Sequence, residues 1–114
     1  MFLEMVVAGK VREGYSEHVG PGFKHHNPHF KGDTESLLAG MAEDAEQFPH
    51  KEFEVQRALQ DGDFVAVHSR LLHSPDERDM AVVHIFRFED GRIAEFWDIA
   101  QVAPEVVANE HGMF

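Results

Sequence analysis

The sequence predicts an α+β fold: helices first, then a mostly antiparallel sheet built from consecutive hairpins. Apolar residues recur about every four positions as far as Phe48, and beyond Pro49 the period falls to two. Turn signals separate the alternating runs, notably Asp61-Gly62-Asp63, Ser74-Pro75-Asp76 and Asp90-Gly91. A length of 114 residues fits one domain spanning 1–114, with a single core and room for a small cavity.

Leu3, Val7, Val11 and Tyr15 form an i, i+4 stripe, which predicts one helix from the first residues to the Gly20-Pro21-Gly22 stop. Gly9 and Gly14 weaken that helix, each by about 1 kcal/mol relative to Ala. The tract from Phe23 to Gly32 carries three histidines and a proline and reads as a loop. A second helix follows, with Asp33 or Thr34 as N-cap and Glu35 in its first turn. Leu37, Leu38, Met41, Ala45 and Phe48 give it an apolar face, and Pro49 ends it.

Phe53, Val55 and Arg57 then alternate with polar neighbours as a half-buried strand does. Phe64 to Leu72, Met80 to Phe88 and Arg92 to Val102 are three more strands. The tail from Pro104 to Phe114 is expected to lie across the sheet or against a partner subunit.

Charge narrows the partners. Asp and Glu number 21 against 10 Lys and Arg, a formal −11, and a field of that sign repels phosphate backbones and anionic lipid heads. Neither nucleic acid nor a membrane surface is an expected partner. Apolar runs such as Met5–Ala8 are far too short to span a bilayer. The first residues lack a basic segment leading into an apolar run, so the expected location is cytoplasmic. With no Cys, there is no disulfide, thiolate nucleophile or Cys-based metal site.

The last hairpin decides which side chains share a face. A two-residue turn pairs Glu89 with Arg92, sets His84 opposite Trp97 and sends Asp98 to the other side of the sheet. A three-residue loop with Gly91 in a bulge pairs Phe88 with Arg92, which brings His84 and Asp98 diagonally onto one face. The second is preferred because it gathers Val82, Phe86, Phe88, Ala94 and Phe96 on one apolar face. It leaves Arg87 and Glu95 able to pair on the other.

Three stretches resemble SnoaL-like proteins, a branch of the nuclear transport factor 2-like superfamily. They are His26-Asn27-Pro28, the strand Asp61-Gly62-Asp63-Phe64-Val65-Ala66-Val67-His68, and the hairpin from Ile85-Phe86-Arg87 through Asp90-Gly91-Arg92-Ile93 to Trp97-Asp98. The resemblance implies a cone-shaped barrel in which a strongly curved sheet wraps the N-terminal helices and encloses a pocket, usually in a homodimer. It also implies cofactor-free and metal-free aldol closure of a small hydrophobic carbonyl ligand, with an Asp as acid/base assisted by an upstream His. By motif position these roles fall on Asp98 and His84. Phe96 stands where the family often has a His.

Aldol chemistry needs a base for the proton beside a carbonyl and a donor for the enolate. Asp98 on an apolar strand suits the base, though a carboxylate there also serves to cap amides or to pair with an Arg. A His such as His84 in an apolar strand is commonly a satisfied core residue, and His68 repeats that pattern. The expected pocket wall comprises His26, Tyr15, His68, Phe86, Phe96 and Trp97. His25, His26 and His29 raise metal binding as a rival, but neighbours in extended chain diverge and no helical His pair is present. A non-catalytic binding or scaffold module is the remaining alternative.

Overall fold

The computed structural model describes residues 2–114. Helices α1 (Phe2–Val7), α2 (Val11–His18) and α3 (Thr34–Gln47) accompany strands β1 (Val19–His25), β2 (Glu52–Asp61), β3 (Phe64–Leu72), β4 (Met80–Glu89) and β5 (Arg92–Val102). The strands form one curved, open sheet in the order β1-β5-β4-β3-β2. Every neighbouring pair is antiparallel except β1, which runs parallel to β5.

The single N-terminal helix expected from the four-residue stripe is two helices. Gly9 takes φ +86°, its N–H bonds the Val6 carbonyl, and the Lys10 N–H bonds the Met5 carbonyl. This double bond pattern is a Schellman stop, and it outweighs the continuing periodicity because Gly alone enters the left-handed region freely. Helix α2 then ends at His18, where Arg92 donates to the Ser16 carbonyl at 2.9 Å.

The region expected to be a stop and then a loop contains β1. Pro21 is tolerated there because β1 is an edge strand, and its pairing with β5 is irregular between Val19 and Lys24. The second helix begins as expected, with Asp33 Oδ2 accepting from the Ser36 N–H at 3.0 Å.

The hairpin joining β4 to β5 follows neither of the two expected registers. Asp90 and Gly91 have φ +52° and +77°, a two-residue turn that pairs Glu89 with Arg92. The register then slips between Arg87 and Phe88: Phe88 pairs Ile93, but Arg87 pairs Glu95. Ala94 is thus an extra residue, and this bulge shifts every later pair by one. His84 comes to lie directly opposite Asp98, Phe86 opposite Phe96, and Ile85 opposite Trp97. The expected pairing of Arg87 with Glu95 is present, Nε to Oε1 at 3.1 Å.

The core forms where the helices meet the concave side of the sheet. Phe2, Leu3, Val11, Tyr15, Leu37 and Leu38 pack against Phe23, Val67, Phe86, Ile93 and Phe96. Among the described residues no helix is long and apolar enough to cross a membrane.

Candidate functional site

Past the end of this core the helices no longer cover the sheet, and a cleft of about 470 Å³ opens between them. Leu3, Val6 and Val7 of α1, Leu37 and Met41 of α3, and Phe53, Leu71, Met80 and Val82 of the sheet make it largely apolar. That volume lies within the roughly 300–1,000 Å³ of small-molecule sites.

His84 and Asp98 both line it. Because β4 and β5 place them as a direct cross-strand pair, His84 Nε2 lies 3.5 Å from Asp98 Oδ1, close but longer than a well-formed hydrogen bond. The other oxygen, Oδ2, accepts from Asn27 Nδ2 at 2.9 Å. Asn27 is itself fixed: its Oδ1 accepts from the His29 N–H at 3.0 Å, which leaves Nδ2 for Asp98.

The loop carrying Asn27 is held from beneath. The Asn27 N–H donates to His25 Nδ1, so the His25 proton sits on Nε2 and goes to the Lys31 carbonyl at 2.6 Å. The His26 N–H bonds the Phe96 carbonyl, tying the loop to β5 two residues from Asp98.

His84 Nδ1 is buried and has no hydrogen-bond partner among the described residues. An orphaned acceptor is less costly than an orphaned N–H, so the neutral ring carries its proton on Nε2, aimed at Asp98. Burial pushes the His84 pKa below the ordinary 6.5, and the Asp98 charge offsets only part of that. His84 therefore faces Asp98 with Nε2 turned toward the carboxylate and its charged form disfavoured.

A histidine with a depressed folded-state pKa binds fewer protons folded than unfolded between the two values. Stability thus rises with pH in that window and is lost as pH falls below 6.5 toward the folded-state value. His84→Phe keeps the ring stack and removes the titration. It is expected to narrow the gap between urea midpoints measured at about pH 5 and about pH 7.5. An unchanged gap would show that His84 titrates alike in both states.

The six residues expected as pocket wall do not line the cleft. Phe86 and Phe96 lie beneath it in the core, 4% and 1% exposed, stacked against the His84 ring. Tyr15 is buried among Phe2 and Phe23, and its hydroxyl donates to the sulfur of Met41, which does line the cleft. Burial first, and the Asp98 charge second, push the Tyr15 pKa up, so the phenol stays protonated.

The other three face the outer side of the sheet, because each has the opposite strand parity to His84 and Asp98. His26 stacks on Trp97 with ring centroids 4.9 Å apart and bonds Glu95 Oε2 at 2.7 Å. His68 meets Arg57 and stacks on Phe114. His25, His26 and His29 accordingly diverge, one into the loop, one outward and one to the cleft. Among the described residues no three His, Asp or Glu side chains converge as metal ligands.

Five polar lining residues were not anticipated as such, His29 among them. Asn27 was legible in principle, since two-residue alternation puts it on the same side as His25. Asp44, Lys51 and His73 also line the cleft. They come from the α3 face and from positions flanking β2 and β3, where no periodicity marks a facing direction.

The model of the SnoaL-like domain matches residues 1–96. No curated protein matches the chain. Among solved structures, a loop-truncation variant of IdmH is 25% identical with a TM-score of 0.71, the match covering 85% of this chain and 84% of that one. Wild-type IdmH from Streptomyces antibioticus, a proposed polyketide cyclase, is 24% identical over 85% and 84% of the two chains, with a TM-score of 0.68. A proposed SnoaL-like polyketide cyclase from Jannaschia sp. CCS1 is 24% identical over 86% and 81%, with a TM-score of 0.66. With the family model covering most of its length, this chain belongs to the SnoaL-like domain family.

Proposed function

We propose that the chain is a cofactor-independent acid/base enzyme acting on a small hydrophobic carbonyl compound, by intramolecular aldol condensation or a related isomerisation. The observation that carries this reading is the cross-strand pair of Asp98 and His84 opening on an apolar cleft. The polyketide cyclases proposed among the similar structures support it.

Asp98 is the base. It takes a proton from the carbon beside the ligand carbonyl, and the C–H electron pair moves onto the carbonyl oxygen as an enolate. Asn27 gives one amide hydrogen to Asp98 and keeps a second for that developing charge. His84 holds the other carboxylate oxygen and keeps the base aimed at the cleft. In an aldol closure the enolate carbon then bonds a second carbonyl carbon, and the proton on Asp98 passes to the new alkoxide. In an isomerisation it returns to a different carbon.

The test is α-proton exchange of a long-chain methyl ketone in deuterated buffer, followed by proton NMR. The protein is expected to speed exchange by roughly 10²-fold or more over buffer. Saturable binding without faster exchange would reduce the chain to a binding module of the same fold.

A further inference from the structure

The proposed proton transfer leaves a second polar group in the cleft unused. Lys51 immediately precedes β2 and His73 immediately follows β3, and both line the cleft with Asp44 of α3. The Lys51 side chain is only 6% exposed, and it is the one Lys or Arg on the lining among the described residues. Its ammonium donates to Asp44 Oδ2 at 2.6 Å, while Asp44 Oδ1 meets His73 Nε2 at 2.6 Å. His73 Nδ1 in turn lies 3.2 Å from Glu77 Oε2, and its ring packs on Phe48 with centroids 3.9 Å apart.

An ammonium carries three donors. Asp44 takes one, and no other acceptor among the described residues meets Lys51. A buried ammonium with unmet donors beside an apolar cleft is unfavourable unless something in the cleft accepts from it.

Charge indicates what that is. Asp44 already balances Lys51, His73 stands between the Asp44 and Glu77 carboxylates, and the whole chain carries a formal −11. An incoming carboxylate would bring more negative charge to a site that has enough. A ketone or ester oxygen satisfies the same donors and adds none.

Position sets the ligand's length. Val67 lies across from His84, and His73 follows it by six residues along β3 and the turn after it. At ~3.3 Å per residue the two ends are on the order of 20 Å apart if the strand is straight, and less where it bends.

We infer that Lys51, held by Asp44, is the recognition point for a neutral carbonyl oxygen at the far end of an elongated ligand. The cleft then selects compounds with two oxygenated ends and an apolar middle. This rests on the carbonyl-ligand reading above, with one end of the ligand at Asp98 and the other at Lys51.

Three probes separate the alternatives: a long-chain methyl ketone, the diketone with its second carbonyl near the far end, and the keto acid of equal length. Binding is read by NMR titration. The wild type is expected to hold the diketone about tenfold tighter than the monoketone, as a hydrogen bond to a charged donor allows. Lys51→Met is expected to bring that ratio to about one, with monoketone affinity kept within about twofold.

Should Lys51→Met unfold because Asp44 has lost its partner, the double variant with Asp44→Asn removes the stranded charge, and the same ratio is expected of it. A diketone advantage that persists in either folded variant overturns the inference. So does its absence in the wild type, or a keto acid that binds tightest. Failure of the acid/base reading looks different: α-proton exchange would be missing while the Lys51-dependent preference stayed.

Discussion

Replacing Asp98 with Asn is expected to slow α-proton exchange of a cleft-bound ketone by roughly two to four orders of magnitude, with ligand affinity little changed and the thermal midpoint lowered by only a few degrees, because the new amide N–H faces the His84 Nε2–H. The substitution is nearly isosteric, and an Asn oxygen can still accept from Asn27 Nδ2, where Asp98 Oδ2 now does at 2.9 Å. What disappears is, among the described residues, the only carboxylate at this end of the cleft. His84 cannot replace it: burial disfavours its charged form, its Nε2 faces the position of the lost carboxylate, and its Nδ1 is shut off in the core. An Asp98→Asn protein that exchanges as fast as wild type would show that the base lies elsewhere. One that fails to fold would make Asp98 a structural residue, a distinction that circular dichroism and a thermal melt settle alongside the rate.

The order of the last three strands was legible because period and turn chemistry agree in each of them. Residues 64–72 and 92–102 form strands over the expected bounds, and Asp33 caps α3 as its residue type suggests. The errors arose where two local signals conflict. Gly9 sits inside an uninterrupted four-residue stripe, and the Schellman bonds at Val6 and Met5 decide for a break. Gly20-Pro21-Gly22 has the composition of a stop, yet an edge strand pairing β5 can hold it.

The candidate site shows the same division. His84 and Asp98 share a face, as the preferred register required, but they do so through a bulge at Ala94 that neither register contained. A bulge has no dependable residue signature, and a single extra residue reverses the facing of all that follows. Three of the expected wall residues failed on parity: His26, His68 and Trp97 each sit an odd number of steps from the inward set, so their chemistry faces the outside of the sheet. Lys51 and His73 come together on Asp44 because β2 and β3 set Glu52 opposite Leu72, a register displaced by an irregularity between Val55 and Arg57 that the Asp61-Gly62 turn alone does not reveal.

Phe96→Ala is expected to cost about 3–5 kcal/mol, the range for a fully buried aromatic, out of the roughly 5–15 kcal/mol that a domain of this kind has. Phe96 is 1% exposed, and its ring lies 5.2 Å from Phe86, 5.4 Å from His84 at an interplanar angle of 15°, and 6.4 Å from Phe23. Truncation removes the floor on which the His84 ring rests, so His84 can sink away from Asp98. A fall in urea midpoint should therefore come with slower ketone exchange in whatever fraction remains folded. Phe96→Leu, which refills much of the space, is expected to recover most of the stability but less of the stack. A loss below about 1 kcal/mol for the Ala variant would mean that neighbouring rings close the gap, and the claim that Phe96 positions His84 would fall with it.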